Sequence, residues 1–489
     1  MNNKKFYITT TLPYVNSDPH IGFAMEIVRA DVIARYKSLT GCDVFFNTGT
    51  DEHGAKIYEN ACIKNISPQS YVDGYASKFK TLTSDLAIDS VHFIRTTDEK
   101  HIEAAKEIWK RCFDNGYIYK KTYQTKYCVG CELNKTDSEL DNGVCTLHPN
   151  RSIELIDEEN YFFKFSEFQK PLLDFYESHP DFVIPSFRFN EIKNFVERGL
   201  EDFSISRLKE KMPWGISVPN DDDHVMYVWF DALTSYISTL GFGTDNKDFS
   251  FWEEGEPVQY CGKDNLRQQS AMWQAMLMAA GLPNSRHIII NGFITGVDGQ
   301  KMSKSLGNVI SPFDVLDIYK EVTEYPEDVL RFVVLQNLSS FEDGGISLDS
   351  IKVSYQANLQ NGIGNLTNRI MKLASSHLSE PVNISHLQGI KSFTSSQCDA
   401  LNTYDIKHFT DEILKDINAI DSSIAELEPF KVIKTDREKG IIMIRTLVES
   451  LARVANVYSC VLPHTSKKIL ECIIENKMPE KPLFNRFVS

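Results

Sequence analysis

No apolar run in this sequence is long enough to cross a bilayer. The N-terminus, MNNKKFYITTTLPYVN, starts basic but lacks the apolar stretch and small-residue cleavage site of a signal peptide. Both absences point to a cytoplasmic chain and away from secreted or membrane-spanning ones. Low-complexity tracts and fixed-period repeats are missing as well, which argues against disordered and solenoid architectures. Positive charge is in short supply: 52 Lys and Arg face 67 Asp and Glu, for a net charge of −15. A protein that holds RNA chiefly by neutralising phosphates is usually basic, so indiscriminate nucleic-acid binding is disfavoured, although a local basic face is not.

What is present is ordinary globular composition, 42% hydrophobic and 24% charged, over 489 residues. That length calls for about three or four domains. Seven of the ten cysteines (Cys42, Cys62, Cys112, Cys261, Cys398, Cys460 and Cys472) are scattered and read as small buried or half-buried residues. The other three belong to Cys128-x2-Cys131-x13-Cys145-x2-His148. Two close pairs at that separation let two tight turns meet on one tetrahedral Zn²⁺ with three thiolates and one imidazole. Four protein ligands close the shell, so the expected metal is structural; the alternative is four residues that never meet.

Phe6 to Thr11 is a β-branched run followed by a turn-rich stretch with two prolines. From His20 onward Ile21, Ala24, Met25, Val28 and Val32 recur at helical spacing, with Gly41 as a C-cap. A second strand, Val44 to Thr48, runs into Gly49-Thr50-Asp51-Glu52-His53-Gly54. The same order returns late in the chain. Val258 to Cys261 reads as a strand, Gly262 to Asn265 as a loop, Leu266 to Ala280 as a helix, and His287 to Ile290 as another strand. The expected fold is α/β: a doubly wound parallel, Rossmann-like sheet whose halves, 1–115 and 227–325, are split by an insertion, 116–226, carrying the zinc knuckle at 128–148. A linker, 326–350, leads to a helical bundle, 351–489. There Ile444, Leu447, Val448, Leu451, Val454, Ala455 and Tyr458 form one apolar face.

Two short stretches carry most of the chemistry. Pro19-His20-Ile21-Gly22-Phe23 lies where a turn becomes a helix, and a helix N-terminus offers unpaired N–H groups and positive dipole to a triphosphate. Gly22 leaves room for an adenine ring, and His20 can donate to phosphate oxygens; a histidine that merely caps the helix is the alternative. Lys301-Met302-Ser303-Lys304-Ser305 follows the last strand and a glycine turn. Two lysines on such a loop can close over negative charge as pyrophosphate departs. A solvated basic loop is the plainer reading, and the company of the first motif tells against it.

These two motifs resemble the HIGH and KMSKS elements of class I aminoacyl-tRNA synthetases. Thr48-Gly49-Thr50-Asp51-Glu52-His53-Gly54, Phe195-Val196-Glu197-Arg198-Gly199-Leu200-Glu201-Asp202 and Tyr227-Val228-Trp229-Phe230-Asp231-Ala232-Leu233 are similar to the methionyl members, in the family's order and over nearly the whole chain. The resemblance implies activation of L-methionine with Mg²⁺-ATP and transfer to tRNA(Met). It implies His20, Gly22, Gly262, Asp264, Lys301, Ser303 and Lys304 around ATP, with His20, Lys301 and Lys304 stabilising charge in the reaction. Leu12, Tyr14, Trp229 and Gln269 would line the methionine pocket, and Asp51 would hold the amino group. Asn365 and Arg369, one helical turn apart, would face the anticodon.

The sequence departs from the family's pattern at two points: Phe23 stands at the fourth HIGH position, and Gln269 where a pocket histidine is usual. At the stacking position near the C-terminal VLP, Val457 stands with Tyr458 beside it. The appended dimerisation and RNA-binding domain of some relatives is not seen, which implies a monomer. Two other classes stay open at this point: a nucleotidylyltransferase sharing the HIGH-type site, and a non-catalytic tRNA-binding paralogue.

Overall fold

The structure is a computed structural model that describes residues 4–128, 133–135, 140–141, 144–145, 153–244, 246–296, 299 and 309–487. Cys131, His148, Lys301, Ser303 and Lys304 lie outside the described residues, as do the side chains of Cys128 and Cys145.

Six strands form one parallel sheet: β1 (Lys5–Thr10), β2 (Asp43–Thr50), β3 (Val91–Arg95), β4 (Val183–Ile184), β5 (Glu256–Gly262) and β6 (His287–Asn291), in the order β3-β2-β1-β5-β6-β4. Ile8 pairs with Phe46 on one side and Val258 on the other. Successive strand residues point to opposite faces, so Phe6 and Ile8 enter one apolar core and Tyr7 the other. Chain order reverses at β1, whose neighbours are β2 and β5. That junction is the crevice in which doubly wound sheets hold ligands.

Helix α1 (Ile21–Leu39) joins β1 to β2, and α2 (Ala55–Ile63) with α3 (Pro68–Asp85) joins β2 to β3. Helix α1 is buried nearly all round, charged Arg29 and Asp31 included, and its buried residues run from Ile21 to Tyr36 because the sheet and the C-terminal helices enclose it. Helix α4 (Glu99–Asp114) packs against the opposite core.

The insertion has its own antiparallel character: Ile118–Cys128 pairs with Ile153–Phe163 along its whole length. It does not stay apart from the parallel sheet. Its β4 pairs with β6, and α5 (Ser186–Glu197) follows directly. Helix α6 (Val228–Leu233) opens the second half, and the expected 266–280 helix is in fact a π-helical turn, Gln268–Met272, continued by the regular turns of Trp273–Ala279. Cys62, expected at least half-buried, is exposed at the end of α2, whose surface side it occupies.

Beyond α7 (Pro326–Gln336), the last described strand is Gly344–Gly345, and helices follow: α8 (Asn365–His377), α9 (Ile406–Leu427), α10 (Arg437–Tyr458) and α11 (Pro463–Glu475). All seven apolar residues expected to share a face of α10 are buried. Arg331, fully buried on α7, ties the layers together. It donates to the carbonyls of Leu86 (3.1 Å), Cys460 (2.8 Å) and Val461 (2.8 Å) and pairs with Asp31 of α1 at 2.6 Å.

Candidate active site

His20 is the N-cap of α1, in extended backbone, and its Nδ1 accepts the Gly22 N–H at 3.1 Å. This satisfies one of the amide donors a helix start leaves over and keeps the ring proton on Nε2. A Cβ at position 22 would fall 2.9 Å from the imidazole, so glycine is what lets the ring lie there. Phe23 turns away from the crevice and packs edge-on against Phe79 of α3, centroids 5.0 Å apart. The residue that departs from the family pattern is therefore a core residue.

The loop after β2 is built from buried polar groups. Asp51 pairs backbone to backbone with the turn after β1: its N–H donates to Pro13 (3.0 Å), and Val15 donates to its carbonyl (3.1 Å). Its carboxylate is buried and Oδ1 has no hydrogen-bond partner. Burial first, then the nearby Asp231 charge, pushes the Asp51 carboxyl well above the usual range, against the His53 N–H that favours the ionised form. Glu52, in contrast, is saturated by Thr50 (2.6 Å), Thr97 (2.5 Å) and both arms of Arg95 (2.7 and 2.9 Å). Trp214, from the insertion, clasps the loop: its indole N–H donates to the Glu52 carbonyl at 2.6 Å, and Gly54 donates to its carbonyl at 3.0 Å.

Asp231 on α6 accepts from His53 Nδ1 and from His101 Nε2 of α4, both at 2.7 Å. His101 Nδ1 meets the Ser238 hydroxyl at 2.9 Å. Burial alone would raise the Asp231 carboxyl, but the two imidazoles bring it down to about 2, so it is ionised.

Leu12 is buried and Tyr14 half-buried just before α1, and Trp229 is half-buried on α6. Burial, with Asp51 next, raises the Tyr14 hydroxyl and keeps it neutral. Gln269 is buried in a closed amide chain: it donates to the Tyr236 hydroxyl and accepts from Gln259 at 2.5 Å, and Gln259 in turn accepts from Ser285. Both ends of the Gln269 amide are thus engaged by protein groups.

Gly262 ends β5, with exposed Asp264 in the turn that follows. The chain enters 297–308 from Ile294–Thr295, which pairs with Gly344–Gly345, and Lys263 is salt-bridged to Asp343 at 2.6 Å. Gly292 is pressed so closely on this segment that a Cβ would lie 2.1 Å from the Glu342 carbonyl carbon. On the far side of 297–308, Ile310 accepts the Ile21 N–H at 3.3 Å. At Ile310 the described chain is therefore back at the start of α1, one residue after His20.

Four residues here were not singled out from sequence: Glu26, His101, Tyr236 and Trp214. Glu26 lies one turn beyond Gly22 and accepts from Thr11 N–H at 2.9 Å and from Asn291 at 3.5 Å, bridging the ends of β1 and β6. Burial pushes its carboxyl up to about 8. Neither Glu26 nor His101 carries a mark in the sequence: the first stands one turn before Arg29 on a helix with several charged residues, and the second sits among the charged residues of α4.

In the bundle, Asn365 is exposed at the start of α8, and Arg369, one turn on, is ion-paired with Asp421 of α9. Val457 and Tyr458 are both buried, so neither offers a stacking surface. Among the described residues one cluster brings three ligand-type atoms within 4.8 Å of one another: Glu327, Asp328 and His464. Thr465 at the start of α11 donates its N–H to Asp328 at 2.6 Å, and His464 meets Glu327 at 2.5 Å. With the positive end of a helix and Arg331 facing it, this is a capped helix start and does not suit a cation.

Residues 6–148 and 131–371 match the family of class I tRNA synthetases (M). The methionine–tRNA ligase of Thermotoga maritima is 36% identical over 98% of this chain and 76% of its own length. That of Thermosynechococcus vestitus is 43% identical over 76% of this chain and 69% of its own. Among solved structures, Mycobacterium tuberculosis methionyl-tRNA synthetase in complex with methionyl-adenylate superposes with a TM-score of 0.85 at 30% identity, covering 99% of this chain and all of that one. A match that runs through the insertion and into the helical region leaves no place for a small nucleotidylyltransferase. The chain belongs to the class I tRNA synthetases of the methionine type, the methionine–tRNA ligases.

Proposed function

We propose that the crevice between β1 and β5 is where this chain activates L-methionine with ATP and then charges tRNA(Met). The observation that carries the assignment is Asp51: a buried carboxylate at the end of β2 with an unpartnered oxygen suits a substrate ammonium. Leu12, Tyr14 and Trp229 are close in sequence to the crevice-lining turns and supply apolar and aromatic walls for a thioether chain. Gln269 contributes from behind, by holding the Tyr236 hydroxyl in place.

The methionine carboxylate attacks the α-phosphorus of ATP; the bond to pyrophosphate breaks and methionyl-adenylate forms. A hydroxyl of the tRNA 3′-terminal adenosine then attacks the carbonyl carbon, loses its proton, and AMP leaves. His20, at the positive start of α1, and Lys301 and Lys304, in the segment that precedes Ile310 in sequence, stabilise charge on the phosphates. Gly22, Gly262, Asp264 and Ser303 complete the nucleotide site. Mg²⁺ arrives with ATP as part of the substrate and neutralises phosphate charge.

A structural Zn²⁺ on Cys128, Cys131, Cys145 and His148 is part of the same reading. It is supported by two antiparallel pairs, Lys126–Cys128 with Leu133–Lys135 and Leu140–Asp141 with Val144–Cys145, which place Cys128 opposite Leu133 and Cys145 opposite Leu140. Asn365 and Arg369 are assigned to the anticodon. The seven described cysteines are all free, which fits a reducing cytoplasm, and no described helix is long and apolar enough to cross a membrane. ATP–pyrophosphate exchange measured with each of the twenty amino acids tests the proposal. Methionine alone should support exchange; exchange with none, or with another amino acid preferred, would refute it.

A further inference from the structure

Asp51 and Asp231 are two buried carboxyls of one polar cluster, linked by His53, which stands two residues after Asp51 and whose imidazole holds Asp231 at 2.7 Å, and their surroundings differ. Asp231 is fully occupied, each oxygen accepting from one imidazole at 2.7 Å, so it cannot also serve a substrate ammonium. Asp51 keeps Oδ1 without a partner. The charged and titratable groups around Asp51 come from four elements: Tyr14 from the turn after β1, Glu52 and His53 from its own loop, Asp231 from α6, and behind it His101 from α4. Arg95, the cation beside the neighbouring Glu52, is shared between Glu52 and Asp73. Among the described residues no cation is ion-paired or hydrogen-bonded to the Asp51 carboxylate.

We infer that Asp231 is a positioning residue that keeps Asp51 protonated in the empty site, so that seating the methionine ammonium expels one proton. Two neighbouring buried carboxylates do not ionise together without a counter-ion, and the imidazole-held one keeps its charge. In the empty crevice the Asp51 O–H remains. When the ammonium enters, that O–H bond breaks, its electron pair stays on oxygen, the proton leaves to solvent, and the new carboxylate accepts an N–H from the substrate. The direction of the Asp51 shift, upward through burial and the Asp231 charge, agrees with this. Affinity for methionine then depends on pH although the substrate does not titrate in the range concerned. This rests on Asp51 receiving the ammonium, as proposed above.

The test is calorimetric titration of the full chain with methionine, between about pH 6 and 8, in buffers of different ionisation enthalpy. Wild-type protein should release close to one proton per methionine at every pH below the one at which Asp51 ionises in the empty site. There Kd should fall about tenfold per pH unit. Asp51→Asn should release none from whatever methionine it still binds. In Asp231→Asn the pH at which release fades should move down, because the repelling charge is gone. A purely structural Asp231 would instead weaken binding equally at every pH. Methionine bound with no proton released, and a Kd flat in pH, would overturn the inference and leave the proposed function standing. No methionine bound at all would overturn the proposed function itself. Both outcomes are read from the wild-type chain, so they hold even if Asp231→Asn fails to fold.

Discussion

A carboxyl that loses water without gaining a cation holds its proton, and Glu26 is in that position. In the folded chain its carboxyl is pushed up to about 8 by burial, from an ordinary value of 4.5. The unfolded chain gives up this proton near pH 4.5 while the folded one keeps it. The stabilising contribution is therefore complete below pH 4.5 and lost as pH climbs through 8. Glu26→Gln, neutral at all pH, should melt close to wild type at pH 5 and above it at pH 8.5, by a few degrees, so about 2–4 °C per kcal/mol gained. A melting difference that is constant with pH would contradict this. Lys304→Ala should slow adenylate formation by about 100-fold or more while methionine binding is nearly unchanged; equal losses in both would remove the role assigned to it. Asp51 was marked in the sequence by the resemblance of residues 48–54 to the methionyl members, and not by anything in its own turn. His101 and Glu26 were not marked, since a helical histidine or glutamate looks the same whether it faces solvent or a buried carboxylate. The resemblance singled out Gln269, but not the amide chain that engages it, which depends on Gln259 and Ser285 from other elements.

At the scale of elements, β1, β2, β5 and β6 were legible as apolar runs that end in polar turns, and α10 through its seven-residue apolar face. Strand β4 was not: two residues carry no periodicity, and it joins the sheet only because β6 lies beside it. The π-helical turn at Gln268–Met272 was hidden for a related reason, as its residues suit a regular helix equally well. Arg331 shows what pairing between elements adds. Arg331→Met strands three buried carbonyls and takes a partner from Asp31, which should cost about 3–5 kcal/mol. A denaturant midpoint within the error of wild type would contradict that. The cysteine-rich hairpins should hold one zinc per chain by elemental analysis. Cys131→Ser should lose it and leave the 116–226 segment more open to protease, because metal binding folds a stretch with little core of its own.

Across the whole molecule, the catalytic crevice and the helical bundle share α1: the sheet packs on one side, and α7, which carries Arg331, on the other. The two ends of the function should still separate in assay. Arg369→Ala should reduce tRNA charging about tenfold or more and leave ATP–pyrophosphate exchange at the wild-type rate; a matching loss of exchange would place Arg369 in the fold instead of the RNA contact. That an RNA enzyme carries a net charge of −15 is no obstacle if recognition is local, at a few side chains on α8 and α9. Underneath every assignment lies one geometric statement, that the start of α1 and the 301–305 loop meet over a single nucleotide. A crystal structure of the chain with methionine and a non-hydrolysable ATP analogue measures it. The ammonium should lie within hydrogen-bonding distance of Asp51 Oδ1, and the phosphates should touch both His20 and Lys304. Phosphates held by one of these segments alone, with the other turned to solvent, would contradict it.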